Sequence, residues 1–212
     1  MFEWVDLKQE IVMGRRVRAE ELTRQALAEK LDPKDIIQKA LLPAMAEVGE
    51  KFSQGEYFVP EMLMSAKAMK VCMAVLQPLL TEADYQPVGK VVIGTVRGDL
   101  HDIGKNLVKM MLEGSGFEVV DLGVDIDPEK FVAAVKQHRP QVVAMSALLT
   151  TTMLAMPETI EALDEAGLRN GVKIIIGGAS VTEKYAKEIK ADGYGTDAQQ
   201  AVLKAKQLVG SA

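Results

Sequence analysis

Along the first 84 residues, apolar positions recur every three or four residues, the spacing of helices that bury one face. Glu20 to Leu31 is rich in helix formers and puts Leu22, Ala26, Leu27 and Leu31 on one side. Asp32-Pro33 reads as a helix start, with Asp32 as cap and Pro33 in the first turn. Ile36, Ile37, Ala40, Leu41, Ala44 and Val48 continue an apolar stripe, and Pro43 inside it predicts a kink or local irregularity. Residues 49–55 break the pattern, and Pro60 opens a further helix running to about Ala83. Four such helices would make a small bundle over residues 1–84. The polar, turn-prone residues 85–89 are the expected linker to a second domain over 90–212.

From Lys90 the rhythm changes to short apolar runs alternating with helical stretches. Strands are expected at Val91–Gly94, Glu118–Asp121, Val142–Ser146, Lys173–Ile176 and Gly193–Tyr194. Helices are expected at about 102–114, 128–138, 153–166, 181–190 and 197–209. The nearly continuous apolar runs VVIG, VVAMS and KIIIG suit strands covered on both faces. The fold class predicted is therefore α/β with an N-terminal all-α domain: a four-helix bundle, then a flavodoxin-like (Rossmann-like) five-stranded parallel sheet.

Composition narrows the function classes. The 212 residues are 48% hydrophobic, enough for one large domain or two small ones with real cores, and the net charge of −5 does not suggest a basic face for nucleic acid or a membrane surface. A single cysteine, Cys72, rules out a disulfide framework and a cysteine-based zinc site, and fits a reducing, cytoplasmic setting. The start is acidic where a signal peptide would be basic, and no apolar run approaches the roughly 18 residues of a membrane span. Five of the 12 methionines fall between Met45 and Met73, as core filler or as an adaptable apolar surface.

In doubly wound sheets ligands bind at the carboxyl ends of the strands. Those ends carry Gly94 to Asn106, Ser146 to Thr152, Gly177 to Ser180 and Gly195 to Ala198, mostly small, hydroxylated or flexible residues. Among them Asp99 and His101 are a carboxylate and an imidazole two residues apart. A metal-bound histidine usually donates its other ring N–H to a carboxylate. The pair is open to a plainer reading, with His101 capping the next helix and Asp102 and Lys105 as first-turn residues. Ser146 and the threonines could form turns, and Gly177-Gly178 could be a phosphate-binding turn or a loop. His138, before Arg139-Pro140, reads as a surface residue at a helix end.

Together these residues resemble the B12-binding domain of cobalamin-dependent methyltransferases and mutases. The family pattern Asp-x-His-x-x-Gly, Ser-x-Leu, Gly-Gly is matched by Asp99-Leu100-His101-Asp102-Ile103-Gly104, Ser146-Ala147-Leu148 and Gly177-Gly178, each after its proper strand. Val48 to Phe52 and Gly55 to Glu61 resemble the helical cap module of methionine synthase and small corrinoid proteins. The resemblance implies a cobalamin or related corrinoid, with His101 as lower axial cobalt ligand, Asp99 hydrogen-bonded to it, and Thr152 extending the relay where methionine synthase has serine. It implies that Leu100, Asp102, Ile103 and Gly104 flank the ligand. Ser146, Leu148, Thr150, Gly177 and Gly178 would line the channel for the nucleotide tail. Gly193, Tyr194 and Asp197 would touch the tail or the corrin edge, and Phe52 and Val59 would cover the upper corrin face.

The function implied is that of a methyl carrier. It would work between a substrate-specific methyltransferase and a tetrahydrofolate- or coenzyme M-dependent one, with a reductive activator as a further partner and no turnover alone. Alternatives are a B12-dependent sensor, which would need an output segment, and a B12-binding mutase subunit, which would lack the helical cap. A phosphoacceptor domain would need aspartate where Ser146 stands. A nicotinamide site would need Gly-x-Gly-x-x-Gly, which Gly94 to Gly98 does not supply.

Overall fold

The structure is a computed structural model that describes residues 2–80 and 86–210. The chain divides into two compact units, Met1–Gln86 with Gly114–Gly116, and Pro87–Glu113 with Phe117–Ala212. Part of the expected linker, Tyr85, lies outside the described residues.

The first unit is built from helices α1 (Trp4–Val12), α2 (Arg16–Ala28), α3 (Pro33–Ile36), α4 (Leu42–Ser53) and α5 (Val59–Leu76). Between α1 and α2 the chain turns at Gly14, in the left-handed region at φ +67°; a side chain there would meet Met64 Cβ at 2.5 Å. Asp32 caps α3 as expected, its Oδ1 accepting the Lys34 N–H at 2.8 Å. A π-helical turn, Ile37–Leu41, joins α3 to α4 into one rod, so the unit has four helical rods. Pro43 explains the turn. Proline has no N–H to give to the carbonyl four residues back, here that of Lys39, and its ring crowds that group. The Leu42 N–H instead reaches the Ile37 carbonyl, five residues back. This is the irregularity the proline predicted.

Two boundaries differ from expectation. Gly49 to Phe52 do not break the pattern but lie within α4, which ends only at Ser53. Helix α5 stops at Leu76, where Gln77–Leu79 tighten into a 3-10 turn around Pro78, rather than running towards Ala83. At its start the Glu61 carboxylate accepts the Phe58 N–H at 3.0 Å. Met45, Met62 and Met69 are buried among Leu7, Ile11, Ile36, Ile37, Leu41 and Leu76, whereas Met64 is half exposed. The Val12 carbonyl at the end of α1 accepts from Tyr57 Oη at 3.1 Å and Ser65 Oγ at 2.8 Å, which ties α1 to α5.

The second unit is a parallel sheet of β1 (Lys90–Thr95), β2 (Glu118–Asp121), β3 (Val142–Ser146), β4 (Lys173–Gly177) and β5 (Gly193–Gly195), in the order β2-β1-β3-β4-β5. Helices α6 (Ile103–Gly114), α7 (Pro128–His138), α8 (Ala155–Glu165), α9 (Glu183–Glu188) and α10 (Ala198–Leu208) connect the strands. Order and direction are those of the flavodoxin-like fold. The core holds Val92, Val143, Met145, Ile174 and Ile176 from the sheet, with Phe131, Met156 and Leu163 from the helices. Because β2 lies on one side of β1 and β3 on the other, connections leave the ends of β1 and β3 in opposite directions. Thr95 and Ser146, the last residues of those strands, pair in register and mark the floor of that cleft.

Candidate functional site

The loop after β1 is held at its root. Buried Thr95 gives its hydroxyl to the His101 carbonyl at 3.0 Å, and the Val96 N–H goes to the Ser146 carbonyl at 3.0 Å. Gly98, at φ +81°, turns the chain so that Asp99 points inward, where it is 1% exposed. Every oxygen of that carboxylate is used. Oδ1 accepts the His101 N–H at 3.0 Å and lies 2.7 Å from His101 Nδ1. Oδ2 accepts the Leu148 N–H at 2.7 Å and the Thr152 hydroxyl at 2.6 Å. Asp99 therefore joins the loop after β1 to the loop after β3 across the cleft.

Burial alone would push the Asp99 carboxyl up. The Thr152 hydroxyl, the His101 and Leu148 N–H groups and the His101 ring outweigh it, and hold the group well below the usual carboxylate range. An ionised carboxylate only accepts, so the proton between Asp99 and His101 sits on Nδ1. That tautomer leaves a lone pair on Nε2. The imidazole is 53% exposed, and Nε2 has no partner among the described residues. Leu100 and Ile103, beside His101, are 71% and 74% exposed, and Leu148, Leu149 and Leu154 on the facing loop are exposed too. Space is open beside Gly104, where an added Cβ would meet nothing within 4 Å.

A single oriented nitrogen with apolar surroundings does not fit a bare ion. Among the described residues no group of three His, Cys, Asp or Glu could hold one. The arrangement fits a metal already held in a large flat macrocycle, which needs one further ligand and a greasy seat.

The other expected residues divide. Ser146 and Thr150 lie at and after the end of β3, and Gly177 and Gly178 at and after the end of β4, without hydrogen bonds to the Asp99 cluster. Gly178 is required by the chain itself: at φ +128° a side chain would come within 1.9 Å of the Ala147 carbonyl oxygen. Gly193 likewise leaves room for Lys204, whose Cγ would lie 2.5 Å from an added Cβ, and Tyr194 packs on the core. Asp197 caps α10, its Oδ1 accepting the Gln200 N–H at 2.8 Å. Phe52 on α4 and Val59 at the start of α5 belong to the helical unit, and both are half-buried. Asp102 is exposed and accepts from Asn106 Nδ2 at 3.0 Å.

Sequence reasoning placed Lys105 in the first turn of its helix but missed its ion pair, and it missed Asp125 altogether. Lys105 is a first-turn residue of α6, yet it is only 2% exposed; its Nζ meets Asp121 Oδ1 at 2.7 Å and Asn106 Oδ1 at 2.9 Å. Burial opposes ionisation of Asp121, but Lys105, the Gly123 N–H and Lys109 together draw its carboxyl down. Asp125, in the turn between β2 and α7, accepts the Gly98 N–H at 2.7 Å and gives its own N–H to the Asp99 carbonyl at 3.0 Å. Neither residue belongs to a recurring motif, so only the fold brings their partners to notice.

Comparison with known proteins gives the family. Family models described as B12 binding domain match residues 89–203 and 5–77. The trimethylamine corrinoid protein of Methanosarcina barkeri is 48% identical over 190 residues, 89% of this chain and 88% of that one. A cobalamin-binding protein from Desulfitobacterium hafniense DCB-2, solved as a crystal structure, is 34% identical with a TM-score of 0.83, covering 98% of this chain and 99% of the other. A chain of the methanol:cobalamin methyltransferase complex MtaBC from Methanosarcina barkeri is 32% identical with a TM-score of 0.86, covering 97% of this chain and 79% of that one. The chain belongs to the B12-binding corrinoid proteins of methyltransferase systems, whose cofactor is a cobalamin or a related corrinoid.

Proposed function

We propose that this chain is a methyl carrier that holds its corrinoid through His101 Nε2 as the lower axial ligand of cobalt. The observation that carries the reading is the imidazole with Nδ1 committed to a buried carboxylate and Nε2, without a partner among the described residues, on an apolar rim. When bound, the corrinoid supplies a cobalt centre that takes up and gives up a methyl group. The chain's own residues do the rest. Asp99 keeps the Nδ1 proton in place and so sets the electron-donating strength of Nε2. Thr152 and the Leu148 N–H hold Asp99 in that orientation. Leu100, Ile103 and Leu148 would keep water from the bound cofactor beside His101. Ser146, Thr150, Gly177 and Gly178 would line the nucleotide tail, Gly193, Tyr194 and Asp197 would meet the tail or the corrin edge, and Phe52 and Val59 would be the apolar residues that the helical unit offers the cofactor.

A carrier needs a methyltransferase that loads it and another that unloads it, the second tetrahydrofolate- or coenzyme M-dependent. Similarity to a trimethylamine corrinoid protein makes a methylated amine the first methyl source to try. We assign the carrier to the cytoplasm, where such partners work and where its one cysteine, buried Cys72, stays reduced.

The test is reconstitution with hydroxocobalamin, removal of excess cofactor, and measurement of cobalt content and visible spectrum beside His101→Ala. Near-stoichiometric corrinoid with histidine-on features that the variant loses is the expected result. No retained corrinoid, or a variant with the native spectrum, would overturn the assignment.

A further inference from the structure

We propose that Asp125 is a positioning residue for the axial histidine, an inference that rests on the reading of His101 above. Asp125 touches neither His101 nor the cluster around the Asp99 carboxylate, yet it grips the intervening main chain twice. Its Oδ1 accepts the Gly98 N–H at 2.7 Å, and its own N–H donates to the Asp99 carbonyl at 3.0 Å. These bonds fix the Arg97–Gly98 and Asp99–Leu100 peptides, which bracket Gly98 and Asp99. They act on the segment that Gly98, at φ +81°, would otherwise leave free to swing. Asp125 is itself left-handed at φ +55°, a conformation that few side chains accept readily; aspartate and asparagine are among them. The position thus combines a left-handed backbone with a short side-chain acceptor. Its side chain is exposed, so it adds little to the core and its effect falls on the loop.

Asp125→Gly and Asp125→Asn separate the two requirements. Both residues tolerate the left-handed backbone, and only asparagine keeps an Oδ1 acceptor. In the cofactor-free protein, exchange of the His101 amide, protected by its bond to Asp99, should speed up about two- to tenfold in D125G, the range for losing one hydrogen bond. It should return to the native rate in D125N. In protein reconstituted with hydroxocobalamin, the histidine-on fraction should fall in D125G and recover in D125N, with thermal unfolding confirming that both variants fold. A D125G protein native in both measurements, or a D125N protein as impaired as D125G, would overturn the proposal. Native protein that retained corrinoid without histidine ligation would overturn the axial reading instead. The amide-exchange comparison would still decide whether Asp125 holds the loop.

Discussion

The Thr152 hydroxyl, from the loop after β3, donates to Asp99 Oδ2, from the loop after β1, at 2.6 Å in a buried setting. Hydrogen bonds to buried charges are worth more than neutral ones, so Thr152→Ala should lower folding stability by about 1.5–3 kcal/mol. Thr152→Ser keeps the hydroxyl and should recover most of it. Urea unfolding of the three proteins measures this; equal losses in both variants would mean that the methyl group, not the hydroxyl, matters.

The pH dependence follows from the same carboxylate. Its folded-state pKa lies below the ordinary aspartate value of about 3.9. Its contribution to stability is therefore complete above that pH, and is lost only as pH falls below it towards the depressed folded value. The stability gap between native protein and Asp99→Asn should not narrow from about pH 7 to 5 and should narrow below about 4. A gap already closing between pH 7 and 5 would contradict the assigned ionisation.

Two glycines should part company. Gly178→Ala drives a methyl into the Ala147 carbonyl at a positive φ, and should destabilise the sheet unit severely, with or without cofactor. Gly104→Ala meets open space within α6 and should leave the cofactor-free protein as stable or up to about 1 kcal/mol more so. It should weaken corrinoid retention, because the methyl stands beside the ligand loop. Thermal unfolding and cobalt content of both variants give the comparison.

Lys105→Met removes one partner of a nearly buried ion pair. Lys109 Nζ at 3.2 Å and the Gly123 N–H at 3.0 Å remain on Asp121, so the loss should be about 1–3 kcal/mol, below that for a fully orphaned charge. Urea unfolding against native protein measures it, and an unchanged midpoint would show that Lys109 compensates fully.

Purified alone and loaded with corrinoid, the chain should demethylate no amine. Transfer should begin only when a methyltransferase is added, followed by the change in the corrinoid spectrum. Demethylation by the isolated chain would make it an enzyme rather than a carrier.

Much of this was legible in the sequence because its signals are local. Alternating apolar runs located all five strands, and β2 and β3 carry the expected bounds. Asp99 and His101 could be selected because their loop follows a strand at the rim where doubly wound sheets bind ligands, whereas Thr152 entered only through the family resemblance. Asp125 and Lys105 were not legible, since their partners, Gly98 and Asp121, are 27 and 16 residues away and only packing unites them. The sequence also could not separate glycines that spare a ligand from those that spare the chain. Gly178 and Gly104 differ in backbone conformation and in what surrounds them, and neither is written in the sequence.

The π-helical turn before Pro43 also sets a phase. From Ile36 to Gly49 the buried positions fall in pairs spaced by four: 36 and 37, 40 and 41, 44 and 45, 48 and 49. An unbroken α-helix advances about 100° per residue, so a strict four-residue repeat would drift by roughly 120° over these three steps and wind its apolar stripe out of the core. The extra residue in the π turn takes back about 100° of that drift. One proline thus lets a sequence with the wrong period for a helix keep a straight seam: closing the turn into a regular α-helix with every residue kept would rotate Val48 and Phe52 by about 100° from the faces they now present, whereas deleting one residue of Ile37–Leu41 would absorb the turn and leave them in phase.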